Sequence, residues 1–194
     1  MFTQESADYN QQQTIKSNLN RRHFLKAGLG ACALIALPTA QAKILNISER
    51  RLSFLNLHTG ERVQSTYWAE GQYIPEALQA IEMVLRDHRT DERCAIDPNL
   101  LNVLQLLRSE IGTTQEFHVI SGYRSASTNA MLMASSGGVA KKSLHMQGKA
   151  IDIRLPGQML STLRKAALSL EAGGVGYYPA SDFLHIDTGR IRAW

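Results

Sequence analysis

The chain has 194 residues, 44% of them hydrophobic and 20% charged, and a formal net charge of +4. This length fits one globular domain, and the composition excludes an intrinsically disordered chain. No dense run of Lys or Arg is present, so we expect no nucleic-acid partner.

The N-terminal segment has the pattern of an export signal. Positions 20–26 read Asn-Arg-Arg-His-Phe-Leu-Lys and precede an apolar run over 27–37. Paired arginines before a moderately hydrophobic stretch are typical of a twin-arginine signal. The apolar run is much shorter than the roughly 20 residues that a membrane span needs. We therefore predict export by the twin-arginine machinery and no transmembrane segment in the mature protein.

Small residues around Ala40 and Ala42 predict cleavage before Lys43. Residues 1–42 are thus interpreted as a removed signal, and residues 43–194 as the mature periplasmic domain. An alternative is a lipoprotein cleavage box, Leu-Gly-Ala-Cys, ending at Cys32, which would leave a lipid anchor on that residue. The apolar run continues beyond Cys32, which favours the later site.

Periodicity predicts the elements of the first half of the mature domain. Two strands over 51–57 and 63–68, joined by a His-Thr-Gly turn, predict a β-hairpin. Apolar residues at helical spacing then predict a helix over 75–89. A second helix begins after Asp97-Pro98, an N-cap followed by proline, and ends near Gly112.

The second half alternates short strands and helices. Strands are predicted over 117–121, 151–153 and 183–187, and helices over 127–134 and 161–170. The Gly-Gly-Val-Gly run over 173–176 is interpreted as a flexible turn. Together these elements predict an α+β domain.

Three side chains are spaced as metal ligands. His145 lies in a predicted loop, Asp152 enters a strand seven residues later, and Gly148 lets the chain turn between them. His185 lies in the last predicted strand, on the same face as Asp187. Two imidazoles and one carboxylate can hold one zinc ion per chain and leave a position open for water. By spacing alone, these residues could equally be ordinary core or surface side chains.

The same segments resemble the signature of a known family. Positions 143–152 read Ser-x-His-x-x-Gly-x-Ala-x-Asp, positions 185–187 read His-x-Asp, and positions 121–124 read Ser-Gly-Tyr-Arg. This pattern resembles the zinc-site signature of the peptidase M15 family, which comprises D-Ala-D-Ala carboxypeptidases, D-Ala-D-Ala dipeptidases and peptidoglycan endopeptidases. The resemblance covers nearly the whole of residues 43–194.

The resemblance implies a fold and a ligand set. We expect a small antiparallel sheet that carries the zinc site, with helices packed on one side. The resemblance implies that His145, Asp152 and His185 bind the metal. It also implies that Arg124, whose planar cation suits a carboxylate or a developing oxyanion, holds the substrate near it.

Two acids are candidates for the general base. Asp182 stands where family dipeptidases carry a Glu, three residues before the last His ligand, but its side chain is one methylene shorter. Asp187 is the favoured candidate, although it could instead orient His185.

Three more side chains are candidates for substrate contact. They are Tyr123, Ser143 and Gln147. Tyr123 could equally be a packing residue, and Ser143 and Gln147 could equally be solvated loop positions.

The implied function is a zinc peptidase that cleaves peptidoglycan cross-links between stem peptides at meso-diaminopimelate. Two alternatives remain: a carboxypeptidase that trims stem peptides, and a non-catalytic wall-binding protein that keeps the zinc fold.

Overall fold

A computed structural model describes residues 48–135 and 138–194. Over these residues the chain forms eight strands and four α-helices. The strands are β1 (Glu49–Asn56), β2 (Arg62–Ala69), β3 (Gln72–Tyr73), β4 (Phe117–Ser121), β5 (Ala150–Arg154), β6 (Gly174–Tyr178), β7 (Phe183–Asp187) and β8 (Arg192–Ala193). The helices are α1 (Pro75–Val84), α2 (Pro98–Ile111), α3 (Ala126–Ser135) and α4 (Leu160–Ser169). The predicted signal over 1–42, including Cys32, lies outside the described residues.

The strands form one mixed sheet in the order β3-β2-β1-β4-β5-β7-β6-β8. The pairs β1–β4 and β6–β8 are parallel, and all other neighbours are antiparallel. The predicted α+β class is confirmed, but the sheet is larger than expected and not purely antiparallel. Two helices separate β1 from β4, which gives the chain the length that a parallel return needs.

Capping residues set the limits of the helices. Asp97 accepts a hydrogen bond from the Asn99 backbone N–H at 2.9 Å and begins α2, and Gly112, with φ of 72°, ends it as predicted. The first helix is shorter than predicted and ends at Val84 instead of continuing to position 89.

The hydrophobic core lies on one face of the sheet. Alternate residues of the strands, such as Ile151, Ile153, Leu184 and Ile186, pack in a single cluster with side chains from α1, α2 and α4. The expectation of helices on one side therefore holds for these three. Helix α3 contributes no side chain to the core cluster of the described residues. No helix within 48–135 or 138–194 has the length and apolar character needed to cross a bilayer.

The glycine run over 173–176 is not the flexible turn that the sequence predicts, because Gly174 to Tyr178 form β6 inside the sheet. A Cβ on Gly174 would lie 2.5 Å from Oδ2 of Asp187, and a Cβ on Gly176 would lie 2.7 Å from the ring of Trp194. These glycines make room for neighbouring side chains, a common reason for glycine within a strand.

Candidate metal centre and active-site cleft

The predicted ligands meet on the sheet face opposite the core. Asp152 of β5 and His185 of β7 are direct cross-strand partners, and Ser121 of β4 is paired with Asp152 from the other side. Because side chains alternate along a strand, the apolar neighbours of Asp152 and His185 point into the core while these two point away from it. Strand register therefore brings the two side chains together.

Three donor atoms converge at this point. His185 Nδ1 lies 2.8 Å from Asp152 Oδ1 and 3.2 Å from His145 Nε2, and His145 Nε2 lies 3.3 Å from Asp152 Oδ1. Among the described residues, His145, Asp152 and His185 are the group of His, Cys, Asp and Glu side chains that could hold a metal ion. The His-Asp-His arrangement is thus a possible metal site.

His145 is oriented by its second ring nitrogen. It lies in a 3-10 turn, Leu144–Gln147, that ends at Gly148 with φ of 64°. Its Nδ1 is 2.7 Å from the carbonyl oxygen of Gly122. Because a carbonyl oxygen can only accept, Nδ1 carries a proton, and Nε2 is the nitrogen that faces Asp152 and His185. Second partners of this kind are typical of metal-binding histidines.

His185 is oriented in the same way by Asp187. Its Nε2 donates to Asp187 Oδ2 at 3.0 Å, which turns Nδ1 towards Asp152. The fully buried Asp187 carboxylate also accepts from the backbone N–H groups of Gly174 and Gly189 and from the guanidinium of Arg192. Both oxygens of this carboxylate therefore accept hydrogen bonds, and the carboxylate lies on the side of His185 away from the donor atoms.

The electrostatics of the site favour a cation. Burial alone would lower the pKa of His185, but hydrogen bonds to Asp152 and Asp187 raise it to about 9. Burial would raise the pKa of Asp152, yet the neighbouring His145 and His185 hold it below the ordinary range. At neutral pH this point accommodates either a proton on His185 or a metal ion in its place.

Arg124 borders the same site from the end of β4. Its side chain is 12% exposed, one terminal nitrogen lies 3.8 Å from Asp152 Oδ2, and its backbone N–H donates to the carbonyl of His145 at 3.2 Å. Its buried Nε has no hydrogen-bond partner among the described residues. A buried donor without a partner is energetically costly.

The site opens into a cleft of about 670 Å³. Of the sequence-predicted residues, Arg124, Ser143 and the three candidate ligands line it, together with Asp187. Tyr123 and Gln147 are not brought into the lining that the described residues form. Tyr123 packs against the core, and Gln147 is exposed on the 3-10 turn.

Asp182 lies beside the cleft and does not line it within the described part of the chain, whereas its neighbours Ser181 and Phe183 do. Its side chain is 65% exposed and pairs with Arg154 at 3.2 Å. With φ of 49°, Asp182 ends a short 3-10 turn, Pro179–Ser181.

Sequence reasoning missed several residues that line the cleft. These are Lys142, Tyr178, Phe183, Arg192 and Trp194. Tyr178 and Phe183 stack with ring centroids 4.5 Å apart, and Trp194 lies beside His185. Lys142 and Phe183 adjoin the motif residues and could have been found that way. Arg192 begins the two-residue strand β8 and Trp194 follows it, and the sequence carries no periodic signal for so short a strand.

Known proteins are similar in sequence to this chain over nearly its full length. Residues 45–194 match the M15 peptidase family model described as peptidoglycan L,D-endopeptidase MepK. The chain belongs to the peptidase M15 family. Peptidoglycan L,D-endopeptidase MepK of Escherichia coli K12 is 46% identical over 180 residues, which is 92% of this chain and 99% of the relative. A probable peptidoglycan L,D-endopeptidase MepK of Haemophilus influenzae is 41% identical over 177 residues, 90% of this chain and 95% of the relative.

These matches confirm the predicted M15 membership, and with it the prediction of a hydrolase. They also show that the chain is similar to murein endopeptidase K of this family. Residues 18–38 match the twin-arginine signal sequence, which indicates export from the cytoplasm.

Proposed function

We propose that this protein is a zinc-dependent peptidoglycan L,D-endopeptidase that cleaves cross-links between stem peptides at meso-diaminopimelate. The observation that carries the proposal is the convergence of three oriented donor atoms, from His145, Asp152 and His185, on the floor of an open cleft beside Arg124. Support for the substrate comes from relatives that are named peptidoglycan L,D-endopeptidases and align over almost their entire length.

The donor set fits a zinc ion. Tetrahedral bonds of 2.0–2.1 Å to nitrogen and oxygen separate neighbouring donor atoms by about 3.3 Å. The three donor atoms here are 2.8 to 3.3 Å apart. In addition, both imidazoles are fixed from behind, one by the Gly122 carbonyl and one by Asp187. When bound, zinc would activate a water for attack and polarise the scissile carbonyl.

We assign to Arg124 the binding of the substrate. Arg124 lines the cleft, and a stem peptide offers free carboxylates and a scissile carbonyl as acceptors for its guanidinium. The fixed fork of a guanidinium suits either acceptor. Arg124 thus holds the peptide at the metal and can stabilise negative charge that develops on the carbonyl oxygen.

The two candidate acids take different roles in this proposal. Asp187 positions His185, because its carboxylate is buried, fully hydrogen-bonded and turned away from the donor atoms. We assign the role of general base to Asp182, since its exposed carboxylate stands next to cleft residues and, among residues 48–135 and 138–194, is paired with Arg154 at the surface. Weak surface pairs of this kind are readily exchanged.

We further propose that the protein works in the periplasm, where peptidoglycan is found, after release of residues 1–42. The match to a twin-arginine signal supports this location. The position of the signal ahead of the peptidase domain is consistent with removal before Lys43.

A digest of purified sacculi tests the function. Four samples are compared: zinc-loaded protein, chelator-treated protein, a His185→Ala variant and a His118→Ala control, in which a histidine outside the cleft is removed. Muropeptides are analysed by mass. We expect loss of cross-linked dimers in the zinc-loaded sample and the control alone. A fifth sample, the Asp182→Asn variant, should keep its zinc but lose activity by about 10²- to 10⁴-fold if Asp182 is the base.

Two results would overturn the proposal. Shortened stem peptides with intact dimers would identify a carboxypeptidase. Binding of the zinc-loaded protein to sacculi without any product would identify a non-catalytic wall-binding protein.

A further inference from the structure

Trp194 is held over the candidate metal centre by the edge of the sheet. Strand β8 pairs with β6, and the backbone of Trp194 itself donates to the Val175 carbonyl and accepts from the Tyr177 N–H, at 3.2 and 3.0 Å. The centroid of its ring lies 5.3 Å from that of His185. No other described aromatic side chain is in ring contact with His185 apart from His145, the second candidate ligand.

The neighbouring residues fix the position of the indole ring of Trp194. Gly176 is the cross-strand partner of His185, and a Cβ on this glycine would lie 2.7 Å from two ring carbons of Trp194. The indole N–H donates to the Tyr178 hydroxyl at 2.8 Å, and the guanidinium carbon of Arg192 lies 4.8 Å from the ring centroid. The ring is therefore fixed from several sides.

Despite these contacts, Trp194 remains 47% exposed and lines the cleft. A large aromatic surface that is both rigid and accessible can bind a ligand at a small cost in conformational entropy. The order β4-β5-β7-β6-β8 places Arg124 and Trp194 on opposite sides of the Asp152–His185 pair. The cleft thus has Arg124 on one side and Trp194 on the other, with the donor atoms between them.

We infer that Trp194 is a specificity-determining residue that packs against the aliphatic side chain of the diamino acid at the scissile bond, on the side of the metal centre opposite Arg124. This inference rests on the proposed function. A group in contact with Trp194 must lie within about one residue of the bond that is cut, because the ring adjoins a candidate ligand. The methylene chain of diaminopimelate meets this requirement, whereas the saccharide lies further along the stem.

Kinetics on a cross-linked peptide dimer without sugars test the contact. The zinc-loaded Trp194→Ala variant should raise KM roughly three- to tenfold, with kcat nearly unchanged, because one aromatic contact is removed. Trp194→Phe keeps a ring and should stay close to the parent protein. Gly176→Ala displaces the indole without deleting it and should also raise KM, so the test does not depend on the folding of one variant.

A binding measurement gives a second readout. The chain has two tryptophans, and Trp68→Phe leaves Trp194 as the only one. Titration of this zinc-loaded variant with a stem tripeptide that ends in meso-diaminopimelate should change the emission of Trp194 until saturation. In the same titration with a tripeptide that ends in alanine, a higher peptide concentration should be needed to reach saturation.

The inference would be overturned if KM were unchanged in both Trp194→Ala and Gly176→Ala. It would also be overturned if the emission of Trp194 did not respond to the tripeptide that ends in meso-diaminopimelate. If Trp194→Ala raised KM for sugar-bearing dimers alone, the inference would be overturned in favour of a contact between Trp194 and the saccharide. If the parent protein cleaves no dimer at all, the proposed function fails, whereas the emission titration still decides whether Trp194 contacts the stem peptide.

Discussion

The two faces of strands β5 and β7 differ completely in the role of their side chains. On one face, Ile151, Ile153 and their partners on β7 are buried in the hydrophobic core. On the other, Asp152 and His185 meet at the candidate metal centre. Neighbouring residues in the chain are therefore constrained differently. The core-facing residues must fill the available packing volume, and the residues on the other face must orient their donor atoms.

The face of β5 and β7 that carries Asp152, His185 and Asp187 is here called the polar face. Its charged side chains are stabilised by hydrogen bonds and ion pairs rather than by contact with water. Asp187 is as fully buried as the core residues, but hydrogen bonds from His185 and Arg192 outweigh its burial and hold its pKa below the ordinary range. A buried carboxylate is tolerated when it is fully hydrogen-bonded. We therefore expect substitutions on the polar face to disturb both the fold and the site, and substitutions on the apolar face to disturb the fold alone.

The largest effect is expected for Asp187→Ala. The change leaves His185, Arg192 and two backbone N–H groups without their acceptor, and should lower the free energy of unfolding by about 3–5 kcal/mol. It should also weaken zinc binding by about 10- to 100-fold, because His185 loses its orienting partner. Denaturant unfolding and competition with a zinc chelator measure the two effects.

The matched control is Asp182→Ala, which removes an exposed acid five residues earlier and should change stability by less than about 0.5 kcal/mol. Full zinc affinity in Asp187→Ala would show that the acid serves the fold but not the metal.

Leu184→Ala tests the apolar face of the same strand. Leu184 is 0% exposed and precedes His185, so its truncation should cost about 2–4 kcal/mol through lost burial and a cavity. Zinc affinity at a temperature where the variant is folded should be unchanged. A parallel fall in zinc affinity would mean that the two faces are coupled through the strand.

A smaller effect on stability is expected for substitution of Asp87, which binds the backbone next to Arg124. Its two carboxylate oxygens accept from the backbone N–H groups of Arg89 and Ser125, each at 2.9 Å. Burial raises the pKa of Asp87, but these bonds and one with Thr128 outweigh it and lower the pKa to about 2. The stabilisation is present above pH ~4 and is lost as the pH falls through about 2, in total about 2 kcal/mol.

The stability difference between the parent protein and Asp87→Asn, followed by unfolding from pH 6 to pH 2 in the presence of chelator, should shrink over that window. A difference that does not depend on pH would exclude this carboxylate as the cause.

Local rules were sufficient for much of the fold, whereas the choice of His145, Asp152 and His185 as ligands also needed the family resemblance. Alternation in 183–187 predicts a strand with His185 and Asp187 on one face, and the structure has that strand with those limits. The N-cap at Asp97 and the C-terminal glycine at position 112 likewise define α2 from adjacent residues alone. These features depend on neighbours in sequence, which a single sequence displays.

Features that depend on distant partners could not be predicted in this way. Helix α1 ends early where the carbonyls of Val84 and Leu85 accept hydrogen bonds from Asn56 and Tyr123, respectively. The glycines of β6 predict a turn from the sequence, but in the structure they leave space for Asp187 and Trp194, which come later in the chain. The same holds for Arg192, whose pairing with Asp187 is set by the sheet and not by any local pattern.

Gly148 shows how narrowly the loop before β5 is constrained. Its φ of 64° suits glycine, its carbonyl accepts from the Asp97 N–H at 2.9 Å, and a Cβ would lie 2.1 Å from the carbonyl oxygen of Ala95. Any side chain at this position would have to push apart the start of α2 and the turn that carries His145. In a saturation library selected for folded, zinc-binding protein, position 148 would therefore return glycine alone, while the neighbouring exposed Gln147 would accept most replacements.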